Sequence, residues 1–151
     1  MRTPDTQPAK TNNRTAEGWN GFKNNTAARP ARCATYSIDR ENRFVQVKFT
    51  GRVTFSNIED YALALRADPR FSASLSEIVD LRDVEEVELS PKQAMNLADK
   101  VDPFSPGSRR AFVAQSQAQI NVAHVHRILR PEGNNIRVFF SLDEARRWMG
   151  V

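Results

Sequence analysis

Apolar and polar positions begin to alternate at Tyr36. Tyr36 and Ile38 alternate with polar neighbours, Asp39-Arg40-Glu41-Asn42 supplies a turn, and Val45, Val47 and Phe49 alternate again up to Gly51. A period of two on both sides of a turn predicts an antiparallel hairpin with one buried face. Four segments of helical period follow. Ile58, Tyr61, Ala62 and Leu65 lie at i, i+3, i+4 and i+7, as do Ala94, Leu97, Ala98 and Val101. Ala118, Val122, Val125 and Leu129 form a third stripe, and Leu142, Ala145, Trp148 and Met149 a fourth. Each begins near an S-x-x-E/Q spacing: Ser56…Glu59, Ser90…Gln93, Ser116…Gln119 and Ser141…Glu144. A serine hydroxyl and a Glu or Gln side chain at that spacing can satisfy the unpaired N–H groups at a helix start. Stops are marked by Asp68-Pro69 and by Pro131 and Gly133, and Pro91 sits where a helix tolerates proline best, at its first position.

Between the helical segments lie apolar runs of strand length: Glu77–Leu81, Ala111–Ala114 and Ile136–Phe140. The order is β-β-α-β-α-β-α-β-α. Strands alternating with helices predict an α/β fold with a mostly parallel, mixed five-stranded sheet that carries the antiparallel hairpin at its N-terminal end.

Residues 1–35 have neither period. They are rich in Asn, Thr, Ala, Pro and Arg, and Trp19 and Phe22 stand alone. Such a segment cannot offset its ordering entropy by burial, so a disordered basic arm is expected, with the domain at 36–151. The chain's net charge of +4 belongs to this arm: residues 1–33 hold six Lys and Arg against two Asp and Glu, which leaves sixteen of each sign beyond. A domain with no net positive charge is not expected to bind nucleic acid. Cys33 is the only cysteine, which excludes an internal disulfide. No apolar run reaches the roughly 18 residues of a membrane span, and no apolar region follows the first charges, so a cytoplasmic location is expected.

Candidate chemistry is sparse. No G-x-S-x-G, Walker or G-x-G-x-x-G pattern occurs, and no catalytic set, cofactor or metal is expected. His124 and His126 stand two apart within the third helical stripe, where i and i+2 point in opposing directions and cannot share an ion. Asp83, Glu85, Glu86 and Glu88 read as a solvated acidic loop. In Pro106-Gly107-Ser108-Arg109-Arg110, Arg109 and Arg110 could contact an anion or a partner, since two guanidinium groups can grip a carboxylate or phosphate.

Five segments, in order, resemble the stage II sporulation protein AA-like family of STAS domains, the fold of anti-sigma-factor antagonists: GRVT (Gly51–Thr54), RADPRF (Arg66–Phe71), IVDLRDVEEVELS (Ile78–Ser90), PGSRRAFVA (Pro106–Ala114) and IRVFFSLDEARRWMG (Ile136–Gly150). The resemblance implies a small non-enzymatic binding or regulatory module of bacterial type, acting through a protein partner. It also implies that Ser90 matches the serine a partner kinase phosphorylates, although Leu89 and Pro91 replace a hydroxyl residue and a glycine of that pattern. Kinship with CRAL-TRIO lipid-binding domains implies an alternative, a carrier of a small apolar or lipid-like ligand. A carrier needs a cavity of several hundred Å³, and a domain this small leaves little core to hollow out. An unrecognised enzyme is the third reading.

Overall fold

The computed structural model describes residues 33–130 and 135–151, and the expectations for the arm before Cys33 and for the stops at Pro131 and Gly133 lie outside them. β1 (Ala34–Asp39) and β2 (Phe44–Thr54) form the hairpin. Its turn is held by Asp39, whose Oδ1 accepts from the Asn42 N–H at 3.0 Å, with Arg43 in the left-handed region at φ 59°. β1 starts at Ala34, so the first strand reaches two residues into the stretch assigned to the arm.

The rest follows the expected order: α1 (Phe55–Ala67), β3 (Ser76–Glu88), α2 (Pro91–Asn96), β4 (Arg110–Val113), α3 (Gln117–Leu129), β5 (Ile136–Phe139) and α4 (Leu142–Met149). Helix α2 runs on as a π-helical turn, Leu97–Val101. The sheet order is β1-β2-β3-β4-β5, antiparallel between β1 and β2 and parallel thereafter.

Two expectations change in β2 and β3. Gly51 does not close the hairpin: β2 runs through it, with φ +71° at a bulge that a side chain would strain. Nor is Asp83–Glu88 a loop, because β3 continues to Glu88 alongside β2. Lys48 pairs with Asp80 but Thr50 with Asp83, and Gly51 pairs with Val84 but Arg52 with Glu86. Each slip places an extra residue in β3 and breaks the alternation that would mark a strand. The acidic side chains there meet the neighbouring strand, Asp83 with Lys48 at 2.6 Å and Glu86 with Arg52 at 3.8 Å.

The caps agree in part with their spacings. Ser90/Gln93 and Ser116/Gln119 form complete capping boxes, and Ser141 Oγ accepts from the Glu144 N–H. α1 is capped by Thr54 with Asn57 instead of Ser56 with Glu59, since β2 passes straight into the helix.

Alternation along the strands divides the core. Val45, Val47, Phe49, Val79, Leu81 and Phe112 face α1, α2 and α3, while Phe44, Ile78, Ala111 and Val113 face α4 at Ala145. Ala62, Leu97 and Val101 join α1 to the π-helical turn in a third cluster.

Candidate functional site

Glu77 is the second residue of β3 and Arg110 the first of β4, and the parallel register makes them cross-strand neighbours on the α1–α3 side. Both are buried. Arg110 Nε donates to Glu77 Oε2 at 2.8 Å, Nη2 donates to the same oxygen, and Nη1 donates to Asp102 Oδ2. The guanidinium lies 4.9 Å over the ring of Phe104. Tyr61, from α1, donates its hydroxyl to Glu77 Oε1 at 2.7 Å. His126, from α3, places Nε2 3.0 Å from Arg110 Nη1 and 3.2 Å from Asp102 Oδ2. Arg130, just past α3, reaches Asp102 Oδ2 at 3.3 Å.

The π-helical turn is what presents Asp102. The Asp102 N–H donates back to the Leu97 carbonyl at 2.9 Å, and the widened turn leaves carbonyls that need donors. Arg66 Nη2 donates to the Val101 carbonyl at 2.8 Å, and Arg130 Nη1 donates to that of Ala98 at 3.3 Å. Arginines from two other helical segments therefore tie down the segment that carries the carboxylate.

Burial and mutual charge set the protonation states. Burial alone would raise the Asp102 carboxyl, but Arg110 beside it outweighs that and holds it well below the usual carboxylate range. Burial lowers the Arg110 guanidinium, yet Glu77 and Asp102 more than restore it and keep it charged. Burial and the neighbouring Glu77 push the Tyr61 phenol well above its ordinary value, so it remains a donor. Burial, and then the charge of Arg110, lower His126 below an ordinary histidine in spite of Asp102. The cluster is a closed set of two carboxylates, two guanidinium groups, a phenol and an imidazole. No buried side-chain nitrogen or oxygen among the described residues lacks a hydrogen-bond partner.

This cluster borders an apolar cavity of ≈ 550 Å³ between the sheet and α1, α2 and α3. Phe49, Val53, Val79 and Leu81 form its sheet wall, Ile58 and Leu97 its helical walls, and Val87 and Leu89 the end reached by the long β3. Ser90, Pro91, Ala118, Asn121 and Val125 are lining residues that are also exposed, which places the mouth between the start of α2 and α3. The stripe Ala118, Val122, Val125 and Leu129 lines this space. A domain of this size keeps such a cavity because β2 and β3 extend well past the four-residue strands β4 and β5. Helices α2 and α3 then stand over the long pair without filling the space beneath.

The residues singled out in the sequence fall in different places. Arg109 and Arg110 are not brought together. Arg109 lies 4.5 Å over the ring of Trp148 in α4, while Arg110 turns to the opposite side of the sheet, as successive strand residues must. Ser90 is exposed, its hydroxyl accepting from the Gln93 N–H at 3.1 Å, at the mouth of the cavity. His126 joins the buried cluster, whereas His124 is exposed beside a separate hollow of ≈ 470 Å³ with Arg127 and Arg137, and no buried titratable group lines that hollow. Cys33 Sγ donates to the Arg52 carbonyl at 3.3 Å, far along the chain from either histidine. Sequence reasoning missed Glu77 and Asp102 as functional residues, and the one faint signal for the pair was that Glu77 and Arg110, of opposite charge, each stand at the head of a strand-length, mainly apolar run.

No family model matches the chain, and no curated protein matches it. Solved structures do. An uncharacterized protein of the DUF3478 family with a SpoIIAA-like fold, from Shewanella loihica PV-4, is 17% identical with a TM-score of 0.56, over 77% of this chain and 93% of that one. An anti-sigma factor antagonist from Mycobacterium paratuberculosis is 16% identical with a TM-score of 0.53, over 81% of this chain and 98% of that one. The chain shares their α/β fold, the SpoIIAA-like fold. Among the described residues no helix is long and apolar enough to cross a membrane.

Proposed function

We propose that this chain, a SpoIIAA-like fold with an apolar cavity under three of its helices, is a non-enzymatic binding module that holds a small apolar molecule. The observation that carries the reading is the cavity itself, whose ≈ 550 Å³ lies within the range of small-molecule sites. Aliphatic and aromatic walls with a few polar groups at one end are the usual make-up of such a site. The titratable groups there are bound to one another, and among the described residues no serine, cysteine or lysine stands beside a base in the cavity, which favours holding a ligand over transforming it.

Nile red, an uncharged apolar dye, tests this in the full chain. The dye is expected to bind with about one equivalent and a large rise in fluorescence, and Val122→Trp, which fills the cavity from α3, is expected to abolish the response while the circular dichroism stays native. No binding by the parent chain, or equal binding by the folded Trp variant, would overturn the reading.

The fold supports a second reading, a regulatory module acting through a protein partner, because a solved anti-sigma factor antagonist shares it. Ser90, exposed at the cavity mouth, would be the phosphorylated group. Phosphate on Ser90 in protein from its own cells would support that role. Unmodified Ser90, with unchanged partner binding by Ser90→Asp, would speak against it.

A further inference from the structure

We infer that the cavity selects uncharged apolar molecules and rejects anions such as fatty carboxylates, an inference that rests on the binding role proposed above. Arg110 is the sole lysine or arginine that lines the cavity among the described residues, and its donors are already committed to Glu77 and Asp102. Asp102 also takes Arg130, whose guanidinium lies outside the lining. With Glu77 and Asp102 negative, and Arg110 and Arg130 positive, the set is formally neutral and has no spare cation.

A carboxylate left at the mouth finds no cation among the lining residues there, and one drawn inside has two options. It can displace Glu77 or Asp102 from Arg110, which strands a buried charge, or it can remain unpaired against aliphatic walls. Both are opposed by desolvation. An ammonium group fares no better, because Glu77 receives Tyr61 and Arg110, and Asp102 receives Arg110, Arg130 and the Phe104 N–H. The mouth adds no attraction for either ion, since Ser90, Pro91, Ala118, Asn121 and Val125 are all uncharged. A neutral ligand with one hydroxyl could leave that group at the mouth, beside Ser90 or Asn121, and bury its chain.

Calorimetric titration of the full chain with decan-1-ol, decanoate and decylamine, at a pH where both ions are charged, separates the cases. The alcohol is expected to bind at least about tenfold more tightly than either ion. Decanoate or decylamine matching the alcohol would overturn the selectivity and leave the binding role standing. Failure of all three to bind would overturn both. Asp102→Asn removes one negative charge and leaves Arg110 and Arg130 facing a single carboxylate, so the set gains a net positive charge and decanoate is expected to gain on decanol in that variant. An unchanged ratio in the folded variant would contradict the proposed cause, and the parent comparison decides the selectivity without it.

Discussion

The two sides of the sheet are built from the same strands and solve the problem of cover differently. Below α4, small residues let the helix sit close: Ala145 meets Ile78, Ala111 and Val113, all four fully buried. The buried carboxylate on this side, Asp80, is held by its neighbour in sequence, Arg82, with bonds of 2.9 and 2.8 Å. Below α1, α2 and α3 the sheet carries larger residues, a cavity, and carboxylates held by partners far along the chain. Close packing leaves no room below α4, whereas the long-range ion pairs tie strands and helices together at the edge of an open space. One side is a base and the other a chamber.

The strongest way to break this contrast is to remove the tie that organises the chamber. Arg110→Met leaves Glu77 and Asp102 buried without their cation, and stripping one partner from a buried ion pair costs about 3–5 kcal/mol. Urea unfolding is the check, and a loss below about 1 kcal/mol would show that the cluster contributes little to holding the fold.

Added volume should separate the two sides next. Ala145→Leu has nowhere to go under α4 and is expected to cost about 1–3 kcal/mol, as overpacking does. Ala94→Leu points the same increment at the cavity and is expected to cost much less. Equal losses in thermal or urea unfolding would mean that the chamber is packed as tightly as the base.

At the mouth, Ser90→Ala removes the hydroxyl that accepts from Gln93 and is expected to cost about 1 kcal/mol, whereas Ser90→Asp, itself a good cap, should cost only a few tenths. A large loss in both variants would show that Ser90 does more than cap α2.

The smallest effect is a pH slope. His126 is held below its ordinary value, so as the pH falls below about 6.5 the unfolded chain takes up the proton first. Stability should be full above that point and decline as the pH drops through the range between the two values, by less than about 1.4 kcal/mol per unit. His126→Gln should flatten this part of the profile. A slope that survives the substitution would assign the proton to another group.

How far the sequence reveals each side follows from what periodicity can report. The element order, the hairpin and the boxes at Ser90 and Ser116 were legible because each depends on residues close in sequence. The end of β3 was not, since two bulges put Val84 and Val87 three apart and made a strand look like an acidic loop. The start of α1 was misplaced because Ser56…Glu59 has the spacing of a box that Thr54 and Asn57 form instead. The chamber left a trace that could not be read: Ala118, Val122, Val125 and Leu129 face inward whether core or empty space lies before them. Its charged end joins residues from β3, α1, the π-helical turn, β4 and α3, and no local pattern announces such a meeting.

The contrast between chamber and base can be read atom by atom from methyl resonances. With the methyl groups of Leu, Val and Ile labelled, the full chain is titrated with decan-1-ol and the shifts are mapped. Changes are expected at Ile58, Leu97 and Val122, which line the cavity, with Val113 and Leu142 on the α4 side left in place. Shifts spread equally over both sides, or absent from Leu97 and Val122 at saturating alcohol, would contradict a ligand chamber beneath α1, α2 and α3.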